Sequence, residues 1–159
     1  MKKFLKLVVL ALAAFLICVG FTNRLNADRA VGGDDQWAPA DLMQPEELAR
    51  LLKGEHKPVI FQTGIIHLYK MGHIPGSKYA GPTSGAEGLD SLKKQAQGLD
   101  RKSLVVCYCG CCPWGDCPNT RPAYRALREM GFKNIKMLYL QNSLGQDWTA
   151  KGYPVEKSS

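Results

Sequence analysis

Between Cys18 and Cys107 the 159-residue chain has no cysteine, although it holds six in all. A disulfide framework for a small fold spreads its cysteines along the chain, so this gap argues against one. Acidic residues are absent from the first 27 positions, which carry four Lys or Arg. That imbalance supplies more than half of the formal net charge of +7; the remainder holds 17 basic against 14 acidic residues, a surplus of only three. A surface so nearly balanced excludes a nucleic-acid-binding reading, and no basic stretch interleaved with aromatics occurs. Nor is there a Ser-His-Asp set, a phosphate-cradling glycine loop or a paired-carboxylate pattern. Internal repeats and low-complexity segments are also missing.

Charge is lacking from Leu7 to Phe21, a run rich in Leu, Val and Ala that follows Lys2, Lys3 and Lys6. Asn23, Arg24 and Asn26 close it. This is the layout of a secretory signal, with Leu25-Asn26-Ala27 a passable cleavage site. Fifteen residues are few for a membrane-spanning helix, which needs about 20, yet an uncleaved anchor over residues 4–21 stays open. Either outcome implies export, to the periplasm or the outer face of the cytoplasmic membrane. Cys18 is no lipoprotein cysteine, because Phe15-Leu16-Ile17 lacks the small residue expected before one. Residues 28–36 read as a polar linker, and 37–159 as a single domain.

Within that domain Trp37 to Met43 reads as a short extended lead-in. Pro45-Glu46-Glu47 opens a helix with the acids in its first turn, and Leu48, Leu51 and Leu52 give it an apolar face up to Gly54. Pro58 to Phe61 reads as a buried strand, Ile65 to Lys70 as a short helix and Leu89 to Leu99 as a longer one. Leu104 to Tyr108 is the clearest strand. A loop over Cys109 to Thr120 leads to a helix over Arg121 to Met130, closed by Gly131. Ile135 to Leu140 is a further strand. Short apolar strands alternating with helices mean βαβ units and a parallel sheet covered on both faces.

Several segments in order resemble the rhodanese family. Pro45-Glu46-Glu47-Leu48 is similar to its first helix. Tyr69-Lys70-Met71-Gly72-His73-Ile74-Pro75-Gly76-Ser77 resembles its aromatic-x-x-GHIPGA segment. Val105-Val106-Cys107-Tyr108-Cys109 resembles the strand that delivers its catalytic cysteine. Arg121, Ala126-Leu127 and Gly131-Phe132 resemble the helix that follows, and Trp148 with Gly152-Tyr153-Pro154-Val155 its C-terminal signature. The resemblance spans about Leu42 to Glu156. It implies an α/β fold with a five-stranded parallel sheet flanked by helices, and sulfur transfer through a cysteine persulfide.

Two departures stand out. The family's Asp-x-Arg after its second strand is Gln62 and Gly64 here. Its Cys-x-x-Gly-x-Arg loop takes five steps from Cys to Arg, whereas Cys109 to Arg121 is twelve, and the added residues include three cysteines.

By the resemblance, Cys109 is the expected nucleophile and Arg121 the nearby positive charge. Cys112, followed by Pro113-Trp114-Gly115, keeps the Cys-x-x-Gly spacing and is the alternative nucleophile. Cys111 and Cys117 are additional thiols. Cys109 and Cys112 frame a Cys-x-x-Cys, so a dithiol relay is a further expectation, with Cys111 or Cys112 displacing sulfur from Cys109. Inert disulfides within the loop, or a zinc or copper(I) site on its thiolates, remain open, the second as part of a non-catalytic fold that binds a metal or a partner protein. No cofactor is required for the leading reading. Its partners are a small sulfur donor such as thiosulfate or a persulfide, and a thiol acceptor. His73 reads as structural, His56 and His67 as surface residues, Cys107 as a packed inert thiol and Trp148 as core. Trp114 covers the site or meets a partner.

Overall fold

The computed structural model describes residues 37–158. The expected signal or anchor over 1–27 and the linker over 28–36 lie outside the described residues. Among the described residues no helix is long and apolar enough to cross a membrane.

Five strands form one sheet: β1 (Leu42–Met43), β2 (Val59–Gln62), β3 (Lys78–Tyr79), β4 (Val105–Tyr108) and β5 (Ile135–Leu138). All pairings are parallel, in the order β1-β5-β4-β2-β3. β4 lies at the centre and is buried along its whole length. A central parallel strand has helices over both faces, which is why Val105-Val106-Cys107-Tyr108 is continuously apolar rather than alternating.

Among the described residues five α-helices flank the sheet: α1 (Pro45–Leu51), α2 (Ile66–Met71), α3 (Ala86–Ala96), α4 (Thr120–Glu129) and α5 (Leu144–Asp147). Side chains of β4 alternate between two cores. Val105 and Cys107 join Leu92 and Ala96 of α3 and Ala123 and Leu127 of α4 on one face. Val106 and Tyr108 join Leu48 of α1, Ile74 and Trp148 on the other.

The expected elements are present, with shifted ends. β2 runs one residue later than expected and β5 stops at Leu138. α3 starts at Ala86, three residues before Leu89, because Gly85 and Gly88 conceal its first turn from the apolar periodicity. The extended lead-in is instead a 3-10 turn, Pro39–Asp41, followed by the two residues of β1. α5 was not anticipated: Leu144-Gly145-Gln146-Asp147 has no periodic face, and Ser143 caps it by accepting from the Gln146 N–H.

Candidate functional site

The parallel register puts the C-terminal ends of β2 and β4 side by side, with Gln62 opposite Tyr108. Ligand sites of open parallel sheets form at this edge. Cys109 follows β4 directly and is 4% exposed.

Its backbone is held on two sides. Gln62, which is buried, donates from Nε2 to the Cys109 carbonyl at 3.1 Å. The Gly110 carbonyl accepts from the Leu144 N–H at 3.1 Å. Gly64 approaches so closely that a Cβ there would sit 2.9 Å from the Cys109 carbonyl oxygen and 3.2 Å from Cys109 Sγ. The departure at 62 and 64 therefore has a local cause. A glutamine amide fixes the cysteine's carbonyl, and a larger residue at 64 would collide with it.

The strand is braced by the Gly72-to-Ser77 segment. Tyr108 Oη accepts from the Ile74 N–H at 3.1 Å and lies 3.2 Å from Ser77 Oγ. Tyr69 Oη donates to the Ser77 carbonyl at 2.6 Å. His73 stacks on Tyr69 at 3.9 Å, and its Nδ1 lies 2.8 Å from the Tyr69 carbonyl. Its backbone exchanges two hydrogen bonds with Glu156. Those contacts are a loop clamp, as expected for a structural histidine. His56 and His67 are exposed.

Four sulfurs meet at the loop. Cys109 Sγ lies 2.8 Å from Cys111 Sγ, and Cys111 Sγ lies 3.5 Å from Cys112 Sγ. The Sγ atoms of Cys109, Cys112 and Cys117 all lie within 4.8 Å of one another, a spacing that could hold a metal ion. All five described cysteines are free thiols. Cys109 faces two spaces. The first is an open cleft of about 430 Å³ lined by Cys109, Cys111, Gln62, Leu68, Met71 and Leu144, among others. The second is a void of about 10 Å³ lined by Cys109, Cys112, Cys117, Trp114 and Thr120 together with Gly110, Leu138 and Leu140. Cys111 thus belongs to the cleft and Cys112 and Cys117 to the void.

Asn119 is the residue that sequence reasoning missed. It is buried at the N-cap of α4, and its Nδ2 donates to Cys109 Sγ at 3.3 Å. Its orientation is determined, because Oδ1 accepts from the Ser84 N–H at 2.9 Å and must therefore be the oxygen. Thr83 Oγ1 holds the Asn119 carbonyl at 2.6 Å. The Cys109 sulfur accordingly sits beside the positive end of the α4 dipole with an amide donor aimed at it, an arrangement that favours an anion. Arg121, expected as the nearby cation, has its guanidinium over the Trp37 ring at 4.9 Å. Trp37 also packs against Trp114, which in turn meets Tyr139, so Trp114 roofs the void.

Ionisation of the other four thiols is disfavoured. The Cys117 thiol is pushed up strongly, first by its hydrogen bond to Cys109 and then by burial. Burial raises Cys111 and Cys112 as well. Cys107, inside β4 and fully buried, is pushed up to about 12 by desolvation alone. Cys107→Ser should cost roughly 1–3 kcal/mol, since the hydroxyl would be buried without a partner, and should leave the loop's alkylation rate unchanged. Melting curves beside timed alkylation check both. The raised thiol also has a pH signature. An unfolded cysteine ionises near about 8.5, so the contribution of Cys107 is complete below that pH. It is lost as pH rises through the folded value, because the unfolded chain releases the proton first. Cys107→Ala should flatten that alkaline loss.

A family profile for the rhodanese-like domain matches residues 38–141. Solved structures resemble the chain as well. The Alr3790 protein from Anabaena sp. is 25% identical with a TM-score of 0.56, over 73% of this chain and 82% of that one. The BH2092 protein from Bacillus halodurans is 18% identical with a TM-score of 0.58, over 74% and 77%. A rhodanese-related protein from Thermoplasma volcanium is 17% identical with a TM-score of 0.50, over 74% and 98%. No curated protein sequence matches the chain.

Proposed function

Because the chain belongs to the rhodanese-like domain family, and its cysteine cluster lies where β4 of that fold ends, we propose that it is a thiol sulfurtransferase in which Cys109 carries a persulfide. The observation that carries this reading is the Asn119 amide donating to Cys109 Sγ at the start of α4. The Cys109 thiolate attacks the outer sulfur of a donor R–S–SH. The donor's S–S bond breaks, RS⁻ leaves and takes up a proton, and Cys109–S–SH remains. An acceptor thiolate can then attack the outer sulfur, restoring the Cys109 thiolate.

Cys111 supplies a second exit. Its thiolate can attack Cys109 Sγ itself, forming a Cys109–Cys111 disulfide and expelling HS⁻. The sulfane sulfur is reduced to sulfide, the two thiols are oxidised, and an external dithiol must reset the pair. Of the two residues expected to take this role, Cys111 is favoured over Cys112 by its 2.8 Å separation from Cys109 and its place in the cleft. Burial holds Cys111 above the ordinary thiol range, so sulfide release should accelerate as pH rises through and beyond that range.

The donor class follows from the cleft lining. Gln62, Leu68, Met71, Gly72, Ser143, Leu144, Gly145 and Thr149 accompany the cysteines there, and none carries a charge. Gln62 Oε1, an acceptor, has no protein partner. A thiosulfate dianion would lose hydration without gaining a counter-charge from that lining; an alkyl persulfide, with at most one negative charge, loses less. Turnover of reduced protein with both donors tests the proposal. Activity with an alkyl persulfide well above that with thiosulfate is expected. Thiosulfate preferred, or neither donor used, would contradict it. The setting outside the cytoplasm is also a proposal, carried by Lys2, Lys3, Lys6 and the run from Leu7 to Phe21. Full-length protein free in the cytoplasm on fractionation would count against it.

A further inference from the structure

We propose that Cys109, Cys112 and Cys117 form a three-thiolate site for copper(I), in the small pocket that adjoins the substrate cleft at Cys109 and Gly110. Their three Sγ atoms lie within 4.8 Å of one another. Thiolates bound to one ion at about 2.3 Å sit roughly 3.8–4.0 Å apart, so small rotations close the site. The void they line, about 10 Å³, has room for one small atom. Trp114, Leu138 and Leu140 make up much of its remaining wall, which is apolar.

The donor set selects the ion. Three soft sulfurs, and no imidazole or carboxylate in the group, suit copper(I). A closed zinc site takes four ligands. The nearest extra thiol is Cys111, but it falls outside the group whose Sγ atoms all lie within 4.8 Å of one another, and it lines the cleft instead. Binding releases the thiol protons and leaves a net anionic centre. The N-terminus of α4 and the Asn119 amide stabilise that charge.

Cys109 is shared by the two chemistries, so the ion regulates the reaction. With copper(I) bound its sulfur lone pairs are engaged and it cannot attack a donor. This inhibition rests on the sulfur-transfer reading; the binding itself does not.

The test is anaerobic titration of the reduced full chain with copper(I) against a chromogenic copper(I) chelator, followed by X-ray absorption at the copper edge. One ion per chain with three sulfur neighbours is expected. Cys112→Ser and Cys117→Ser should each weaken binding by more than the about 10- to 100-fold that loss of an outer-shell partner brings. Cys111→Ser should bind as the native chain does. Melting of each variant without copper identifies any that fails to fold, and Asn119→Ala, which keeps all three sulfurs, then serves as the test, with a 10- to 100-fold loss expected. Equal loss in Cys111→Ser, a four-sulfur zinc centre preferred over copper, or no tight binding would overturn the site. Turnover measured alongside separates the two ideas. Copper bound without persulfide activity overturns sulfur transfer alone, and turnover unaffected by stoichiometric copper overturns the shared role of Cys109.

Discussion

Replacing Cys109 by Ser is expected to reduce persulfide turnover by more than about 10³-fold, as loss of a covalent nucleophile does elsewhere, with little change in melting temperature. The hydroxyl can still accept from Asn119 Nδ2, so the α4 N-cap and its bonds to Thr83 and Ser84 have no reason to shift. Removing Cys111 should produce a different phenotype. Cys111→Ser leaves the nucleophile, the cleft and the amide donor in place, so sulfur is taken up and then held. Sulfide release should fall while persulfide accumulates. Single-turnover uptake and sulfide release, measured side by side, distinguish the two variants; equal loss of uptake in both would mean that Cys111 shares the nucleophile's role.

A large stability effect is expected at Gly110, between those two cysteines. Its φ is +75°, and a Cβ there would meet the Leu144 Cβ at 2.9 Å. Gly110→Ala should therefore cost about 1–2 kcal/mol from the left-handed backbone and about 1–3 kcal/mol from overpacking. Against a domain stability of roughly 5–15 kcal/mol that is a large share. The damage should also reach the chemistry, because the Gly110 carbonyl accepts from Leu144 and helps fix the Cys109–Cys111 geometry. Denaturant melts and alkylation of Cys111 check this; an unchanged melt would show that α5 shifts freely to accommodate the methyl group.

The fold was legible because its strongest signal is local. Val105 to Tyr108 must be apolar on both faces to sit at the centre of a parallel sheet, and the Tyr69-to-Ser77 segment must bring Tyr69, Ile74 and Ser77 together to brace it. The thiols were legible as residues, and their clustering foretold one site. What spacing could not reveal was which side of Cys109 each thiol faces. Cys111 and Cys112 are adjacent in sequence yet line different spaces. Asn119 escaped notice because its role depends on Ser84, 35 residues away, fixing its amide. The departures at Gln62 and Gly64 find their reason only at the Cys109 carbonyl, 47 residues from Gln62 in the chain. Arg121 stands in the first turn of α4, with its guanidinium over the Trp37 ring.

The central claim is that Cys109 receives the sulfur and Cys111 displaces it. Reduced, copper-free protein treated with an alkyl persulfide, then alkylated and mapped by mass spectrometry without reductant, tests it most directly. The account predicts a Cys109–Cys111 disulfide in the native chain and one additional sulfur on Cys109 in Cys111→Ser. Additional sulfur on Cys112 or Cys117 with Cys109 unmodified, or on no loop cysteine, would contradict it.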